Sequence, residues 1–204
     1  MLKKINLMEK TFINEANTKK ALINFIRLSK RLSMGKKVFK FEKQFSKAIN
    51  QKYTTMVNSG SSANLVLIQA LKNLNILKKN DNVAISSLTW STSVMPLIQL
   101  NLNPIPIDIN IDTFNCSSSI FAEALKKHKI KAFFITNAMG FRDDIDKIKK
   151  ICKKNNIILL EDNCESLNSE YKNKKLGTFG IASTHSFFVG HHISSIEGGT
   201  ISTS

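Results

Sequence analysis

Short apolar segments that alternate with longer amphipathic ones constrain the fold of this 204-residue chain more than any other feature. The amphipathic stretches carry apolar residues at helical spacing, after residues 63 and 90 and over 117–127 and 143–153. The apolar segments are too short for helices and lie at 54–57, 83–86, 105–107, 132–135 and 157–160. Strands that are apolar on both faces form parallel sheets covered by helices. The sequence therefore predicts an α/β domain with a mostly parallel sheet flanked by helices.

The N-terminal quarter of the chain predicts helices only. Apolar residues at helical spacing occur over 18–33 and again over 39–49, and Gly35 separates the two segments. No linker composition and no internal repeat divides the remainder of the chain. We therefore expect an N-terminal helical arm over residues 1–50 and one large domain over residues 51–204.

The composition is that of an ordinary globular protein, apart from a net charge of +15. The Lys residues are scattered, mostly beside Asn and Ile, and no nucleic-acid motif organises them. We interpret the charge as compositional bias and predict no nucleic-acid partner. No apolar run approaches the ~20 residues of a membrane-spanning helix, and residues 1–10 lack the apolar core of a signal peptide. The sequence therefore predicts a cytoplasmic protein with no membrane association.

The three cysteines, Cys116, Cys152 and Cys164, indicate neither a disulfide framework nor a metal site. Their number is odd, they are not clustered, and they form no CxxC pair. Cys164 lies next to a candidate site motif, but a small buried thiol is the expected role.

A glycine–serine motif between a predicted strand and a predicted helix is a candidate phosphate site. Residues 58–64 read Asn-Ser-Gly-Ser-Ser-Ala-Asn, in which Gly60 permits a tight turn. The free N–H groups of the first helical turn and the helix dipole would both favour an anion there. The hydroxyls of Ser61 and Ser62 would complete such a site. A helix that is merely capped by serine would show the same residues.

Two further motifs follow predicted strands. Trp90, the only tryptophan, is either a core residue or a flat surface on which an aromatic ligand stacks. Glu161 and Asp162 come at the carboxyl end of the buried strand 157–160, where α/β sheets place their sites. Asp162 therefore either contacts a ligand or caps a turn, and Glu165 adds a third acid close by.

Residues 186–199 carry the most informative motif, Ser-Phe-Phe-Val-Gly-His-His-Ile-Ser-Ser-Ile-Glu-Gly-Gly. It resembles the cofactor-lysine loop of the sugar aminotransferases that use pyridoxal phosphate (PLP), the DegT/DnrJ/EryC1/StrS family. In that family a Ser-Phe pair precedes the lysine and Gly-Glu-Gly-Gly follows it. Counting forward from Ser186 and back from Glu197 both place the lysine position at His191. Ile196 departs from the family, which usually has glycine before the glutamate.

The resemblance covers about residues 20–204, with the four motifs in the family's order. It implies the large domain of PLP-dependent transferase fold type I, followed in the family by a C-terminal small domain, so this chain is expected to be a fragment or an N-terminal half. It also implies that Trp90 stacks on the pyridine ring and that Asp162 pairs with the ring nitrogen. The phosphate would be bound by Gly60, Ser61, Ser62 and Ser186.

Histidine at position 191 changes the chemistry that the resemblance implies. A lysine amine bonds covalently to the aldehyde of PLP, whereas an imidazole does not do so productively. The pair His191 and His192 resembles the deoxysugar 3-dehydratase branch, and Glu165 is closer to that branch than the Gln or His of the aminotransferases. The resemblance therefore implies 3-dehydration of a nucleotide-linked 4-keto-6-deoxyhexose in lipopolysaccharide O-antigen biosynthesis. The working cofactor would be pyridoxamine phosphate (PMP), and the catalytic residues would be His191 and Glu165.

Two other interpretations stay open. One is a sugar aminotransferase of the same family with a lysine supplied from elsewhere, although neither Lys174 nor Lys175 is in register. The other is an inactive fragment that acts as a binding or dimerisation module. The resemblance also implies a homodimer in which glutamate or a separate reductase regenerates PMP. The nucleotide (GDP or CDP), an iron–sulfur cluster and the role of His192 stay open.

Overall fold

The computed structural model describes residues 12–204. These residues form six α-helices, a seven-stranded sheet and a two-stranded hairpin. In chain order the elements are α1 (Glu15–Leu28), α2 (Lys36–Ala48), β1 (Tyr53–Val57), α3 (Gly60–Asn73), β2 (Asn82–Ser86), α4 (Ser91–Gln99), β3 (Asn103–Ile107), α5 (Ser118–Lys127), β4 (Ala132–Thr136), α6 (Ile145–Lys154), β5 (Ile158–Asp162), β6 (Glu170–Tyr171), β7 (Lys174–Lys175), β8 (Ala182–Ser186) and β9 (Gly199–Thr203). The predicted absence of a signal peptide concerns residues 1–10, which lie outside the described residues.

The seven-stranded sheet has the order β1-β9-β8-β5-β4-β2-β3. Neighbouring strands from β8 to β3 are parallel, whereas β9 is antiparallel to both β1 and β8. The predicted mostly parallel sheet flanked by helices is therefore confirmed. Because parallel strands end at the same edge of a sheet, the residues that follow β2, β4, β5 and β8 come together there.

Two apolar clusters, one on each face of the sheet, explain why its central strands β2, β4 and β5 are largely apolar. Phe133 of β4 packs in the cluster that includes residues of α5 and α6. Its neighbour Phe134 packs in the other cluster, with residues of α3 and α4. Successive side chains of a strand point to opposite faces, so a strand with helices on both sides has no polar face.

The two N-terminal helices differ in how they pack. None of the side chains of α1 is buried. In α2, by contrast, Phe45 is buried and its ring lies against the rings of His185 and Phe187, which connects this helix to the end of β8. The predicted arm over residues 1–50 and large domain over 51–204 stay a prediction. No helix among residues 12–204 has the length and apolar character needed to span a membrane.

Candidate active site

The N-terminus of α3 lies directly against the end of β8. The hydroxyl of Ser59 caps the helix by accepting a hydrogen bond from the N–H of Ser62 at 3.1 Å. A Cβ atom on Gly60 would lie 2.6 Å from the Cβ of Ser186, so only glycine allows these two segments to approach so closely. The N–H groups of Gly60 and Ser61 have no intrahelical acceptor at this position. They form, with the Ser186 hydroxyl beside them, a cradle suited to an anion.

A second glycine brings β9 to the same cradle. A Cβ atom on Gly199 would lie 2.3 Å from the carbonyl oxygen of Ser59, so the backbone of β9 fits there only without a side chain. Just before it, Ile196 has a φ of 75°, in the left-handed region that strongly disfavours β-branched residues. The loop thus keeps a backbone shape suited to glycine at the position where this chain departs from the motif.

Asp162 lies at the carboxyl end of β5 with only 4% of its surface exposed. Its Oδ1 accepts a hydrogen bond from the N–H of Cys164 at 3.0 Å. Its Oδ2 accepts from the Ser93 hydroxyl at 2.6 Å and from Nδ2 of Asn64 at 3.1 Å. Sequence reasoning missed Asn64 and Ser93. The available signal was that each falls on the apolar face of its helix, Asn64 three and four residues before Leu67 and Ile68, and Ser93 three and four residues before Pro96 and Leu97.

Trp90 directly precedes α4 and is 71% exposed, so it is not a core residue of this structure. Two contacts of its neighbours place it near Asp162. The Thr89 hydroxyl lies 2.6 Å from that of Thr136, whose strand partner is Asp162. Ser93, one turn further on, donates to Asp162 itself. An exposed indole thus lies at the same edge of the sheet as the buried carboxylate.

Glu161 points to the other face of the sheet from Asp162 and is fully buried. Burial raises the pKa of its carboxyl group, and the hydrogen bonds that it accepts oppose this effect. Three backbone N–H groups donate to it at 2.7 Å, those of Gly177, Phe179 and Gly180. The carboxylate therefore holds the turn that leads into β8.

Glu165 and the two histidines line one cavity of about 420 Å³, together with Met139 and Gly190. Oε2 of Glu165 accepts a hydrogen bond from the N–H of Met139 at 3.0 Å. His191 is half-buried, and its Nδ1 is buried without a hydrogen-bond partner among the described residues. His192 is exposed at the cavity wall. An imidazole and a carboxylate that share a cavity are able to exchange protons with a bound molecule.

No lysine lines this cavity among the described residues. Lys174 and Lys175 form the strand β7 instead. The ammonium group of Lys175 donates to the carbonyl oxygen of Ala48, and that of Lys174 lies over the ring of Phe179. The sequence position of these lysines and their contacts therefore agree that neither is the lysine of an aminotransferase site.

The three cysteines are thiols held in apolar or crowded surroundings. Burial raises the pKa of Cys116 and Cys152 to about 12. Burial, together with the charge of Asp162, raises the pKa of Cys164 well above its usual value. No group of three His, Cys, Asp or Glu side chains within residues 12–204 is arranged to hold a metal ion.

Comparison with known proteins agrees with this arrangement. Residues 14–204 match the DegT/DnrJ/EryC1/StrS aminotransferase family. Over 177 residues the chain is 42% identical to the GDP-4-keto-6-deoxy-D-mannose 3-dehydratase of Escherichia coli O55:H7. This match covers 86% of the present chain and 45% of the relative. A solved structure of a GDP-4-keto-6-deoxymannose-3-dehydratase (ColD) variant with bound GDP-perosamine superposes with a TM-score of 0.90 at 39% identity, over 98% of this chain and 51% of that one.

A second solved 3-dehydratase, with a trapped PLP–glutamate geminal diamine, has a TM-score of 0.86 at 38% identity, again over 98% of this chain and 51% of that one. The chain thus spans about half the length of the relatives that it matches. These similarities confirm the expected large-domain fold of the fold type I enzymes. The four motifs, their common edge of the sheet and the matched length together place this chain in the DegT/DnrJ/EryC1/StrS aminotransferase family.

Proposed function

We propose that this chain belongs to a PLP/PMP-dependent 3-dehydratase, which removes the C3 hydroxyl group of a nucleotide-linked 4-keto-6-deoxyhexose in deoxysugar biosynthesis. The observation that carries the proposal is that a histidine, and no lysine, lines the cavity at position 191. The similarity to GDP-4-keto-6-deoxy-D-mannose 3-dehydratases supports a GDP-linked substrate. Another relative is a lipopolysaccharide biosynthesis protein, and this similarity supports a place in lipopolysaccharide O-antigen biosynthesis.

The residues at this edge of the sheet fit a phosphorylated pyridine cofactor. The cradle that Gly60 opens beside Ser186 suits a phosphate group, and Ser61 and Ser62 lie in the same helical turn. Trp90 offers an exposed aromatic face, and Asp162 offers a buried hydrogen-bond acceptor. When bound, PMP would supply an amine that condenses with the sugar ketone and a ring that takes up electrons.

In this proposal the chain holds its cofactor without a covalent bond. The first turn of α3 and the hydroxyl of Ser186 would bind the phosphate group. The indole of Trp90 would cover one face of the ring, where offset stacking adds about 1 kcal/mol beyond burial. The carboxylate of Asp162 would accept a hydrogen bond from the ring nitrogen, which favours the protonated nitrogen.

His191 moves the proton. Histidine takes up and releases protons near neutral pH, and this side chain is half-buried in the cavity wall. We assign to its imidazole the removal of a proton from the cofactor's methylene carbon and the delivery of a proton to the departing C3 hydroxyl oxygen. Glu165, which Met139 holds in place through one oxygen, would contact the sugar or the cofactor hydroxyl.

We favour glutamate, rather than a separate reductase, as the source from which PMP is regenerated, because a similar 3-dehydratase has been captured with PLP and glutamate.

A homodimer is also part of the proposal. The exposed apolar side chains of α1, Leu22, Ile23 and Ile26, support such an association, since no side chain of this helix is buried within the chain. The cytoplasmic location stays a prediction.

The test combines a trapping experiment with one substitution. The protein is mixed with PLP in the absence of an amino donor, treated with borohydride and examined by mass spectrometry, and no cofactor adduct on the chain is expected. His191→Asn should lower the release of the C3 hydroxyl from GDP-4-keto-6-deoxymannose about 100-fold or more, because the proton carrier is lost. PMP affinity should change little.

His128→Asn is the matched control, because His128 is exposed at the end of α5, and it should retain full activity. A lysine adduct, or efficient turnover by His191→Asn, would contradict the dehydratase proposal. The first of these results would favour an aminotransferase. Failure to bind either form of the cofactor would favour an inert binding module.

A further inference from the structure

The carboxylate of Asp162 is held by donors from two different helices. The Ser93 hydroxyl, in the first turn of α4, donates to Oδ2 at 2.6 Å. Nδ2 of Asn64, in α3, donates to the same oxygen at 3.1 Å. Asn64 and Ser93 are each only 1% exposed, so both bonds form away from water, where a hydrogen bond is electrostatically stronger.

The same two residues also contact the backbone around Trp90. The N–H of Ser93 donates to the carbonyl oxygen of Trp90 at 3.0 Å. Nδ2 of Asn64 lies 3.2 Å from the carbonyl oxygen of Thr92. Because Trp90 is largely exposed, its position depends on this short stretch of backbone more than on packing.

The surroundings of Asn64 show that its amide group serves as a donor. Nδ2 lies between two acceptors, the Thr92 carbonyl and Asp162, so the reversed orientation would set Oδ1 against both of them. In the structural orientation Oδ1 is buried and has no hydrogen-bond partner among the described residues. An unpaired buried acceptor is unfavourable for folding, so an asparagine here is costly unless its donor is needed.

We propose that Asn64 and Ser93 are positioning residues that couple the Asp162 carboxylate to Trp90. The inference rests on the proposed function, in which Asp162 meets the edge of the cofactor ring and Trp90 covers its face. These two contacts must keep a fixed mutual geometry, and Ser93 bonds to both residues at once. Asn64 adds a second connection through Thr92.

A double-mutant cycle read by tryptophan fluorescence tests the coupling without any cofactor. Trp90 is the only tryptophan, so acrylamide quenching reports on this position alone. In the wild type, Asp162→Asn should change the quenching constant about twofold, whereas in a Ser93→Ala background, where only the connection through Asn64 remains, the change should be clearly smaller. Equal changes in the two backgrounds would overturn the proposal.

Ser91→Ala is the matched control, because Ser91 is exposed in the same helical turn. In this background the effect of Asp162→Asn on the quenching constant should persist. If Ser93→Ala does not fold, Ser93→Cys provides the same comparison, since the S–H group is a weaker donor of similar shape. Circular dichroism of each variant separates loss of coupling from loss of structure.

PMP titration separates this inference from the proposed function. The wild type should bind PMP with quenching of Trp90, Ser93→Ala should bind it about 10-fold more weakly, and Ser91→Ala should match the wild type. Failure of the wild type to bind PMP, with the coupling intact, would remove the proposed function and leave the coupling supported. PMP binding that is normal in Ser93→Ala would overturn the positioning role while the function stands.

Discussion

Glu161 and Asp162 are neighbours at the end of β5, yet the sheet sends their carboxylates to opposite faces. Glu161 is enclosed by N–H groups of the backbone that leads into β8. Asp162 is held mainly by side chains of two helices, Asn64 and Ser93, at the edge where the four motifs meet. One acid therefore completes the architecture, and the other is the proposed contact for the cofactor.

The difference shows that burial alone does not separate a structural acid from a candidate cofactor-binding acid. Glu161 is more buried than Asp162, and burial raises its pKa, but its bonding capacity is used by the protein. The side-chain amide of Asn137 also donates to Glu161, at 3.3 Å, but the shorter bonds of Glu161 all come from the backbone. What distinguishes Asp162 is that most of its donors are side chains. Side-chain hydroxyl and amide groups can be rearranged by substitution, whereas backbone N–H groups are fixed by the chain itself.

The largest expected effect comes from matched isosteric changes of the two acids. Glu161→Gln should lower the free energy of unfolding by about 3–4 kcal/mol, because an amide N–H₂ would face fixed backbone donors. Asp162→Asn should cost less, about 1–2 kcal/mol, because only one backbone N–H, that of Cys164, donates to it, and the Ser93 hydroxyl can rotate to accept a hydrogen bond while Asn64 loses one. Urea denaturation measures both values. Equal losses would break the distinction between the two acids.

The next effect concerns His185 on the neighbouring strand β8. Burial lowers its pKa to about 4, and the charge of Asp162 opposes this shift. The unfolded chain binds a proton near pH 6.5, so the folded state should lose stability as the pH falls from about 6.5 to about 4, by about 3 kcal/mol in total.

Urea denaturation at several pH values, with His185→Phe as the reference, isolates this contribution. The reference should show a flatter profile over the same range, and identical profiles would contradict the prediction. Asp162→Asn should lower the pKa of His185 further, which extends the loss of stability to lower pH. This result would show that the influence of the Asp162 charge reaches across to β8.

Substitution of two glycines, Gly60 at the anion cradle and Gly180 next to Glu161, extends the comparison with a smaller expected loss of stability. A Cβ on Gly60 would meet Ser186, and a Cβ on Gly180 would lie 2.5 Å from the carbonyl oxygen of Leu159. Each Gly→Ala change should cost about 2 kcal/mol by forcing packed atoms apart. Only Gly60→Ala should also weaken PMP binding, measured by titration. Equal weakening by Gly180→Ala would contradict the assignment of the two faces.

The smallest predicted effect comes from a substitution in the loop between β8 and β9, which contains His191 and His192. Ile196→Gly should raise the free energy of unfolding by about 1 kcal/mol, because glycine adopts the positive φ of this position without strain. Ile193→Gly is the control, since Ile193 is exposed in the same loop without a positive φ, and it should not stabilise the protein. A loss of stability in Ile196→Gly would show that the side chain, rather than the backbone, matters there.

The central strands β2, β4 and β5 were predictable from the sequence because their apolar residues are covered on both faces of the sheet. Residues 197–204 read as a turn that enters a strand, and β9 confirms this strand. The strand β8 was not predicted, because its buried side chains are largely polar. Ser183 and Thr184, for example, are fully buried. Such a strand contains no run of apolar residues by which the sequence would indicate it. The strand β7, Lys174–Lys175, was not predicted either, because it consists of two lysines and contains no apolar residue.

The candidate site was predictable to the extent that its residues lie in short motifs. Gly60, Trp90, Asp162 and His191 each stand in a recognisable local context, and their roles stay predictions. The contacts of Asp162 with Asn64 and Ser93 join residues far apart in sequence. Such contacts depend on how α3 and α4 pack on the sheet, which spacing along the chain does not reveal.

The strand β9 lies between β1 and β8, although it follows both of them in the chain. During synthesis on the ribosome, β1 therefore cannot pair with the rest of the sheet until residues 199–203 have emerged. Gly199 then closes against Ser59, next to the anion cradle. Capture of a ligand at that cradle would consequently be a late event, and shorter nascent chains should have no affinity for it.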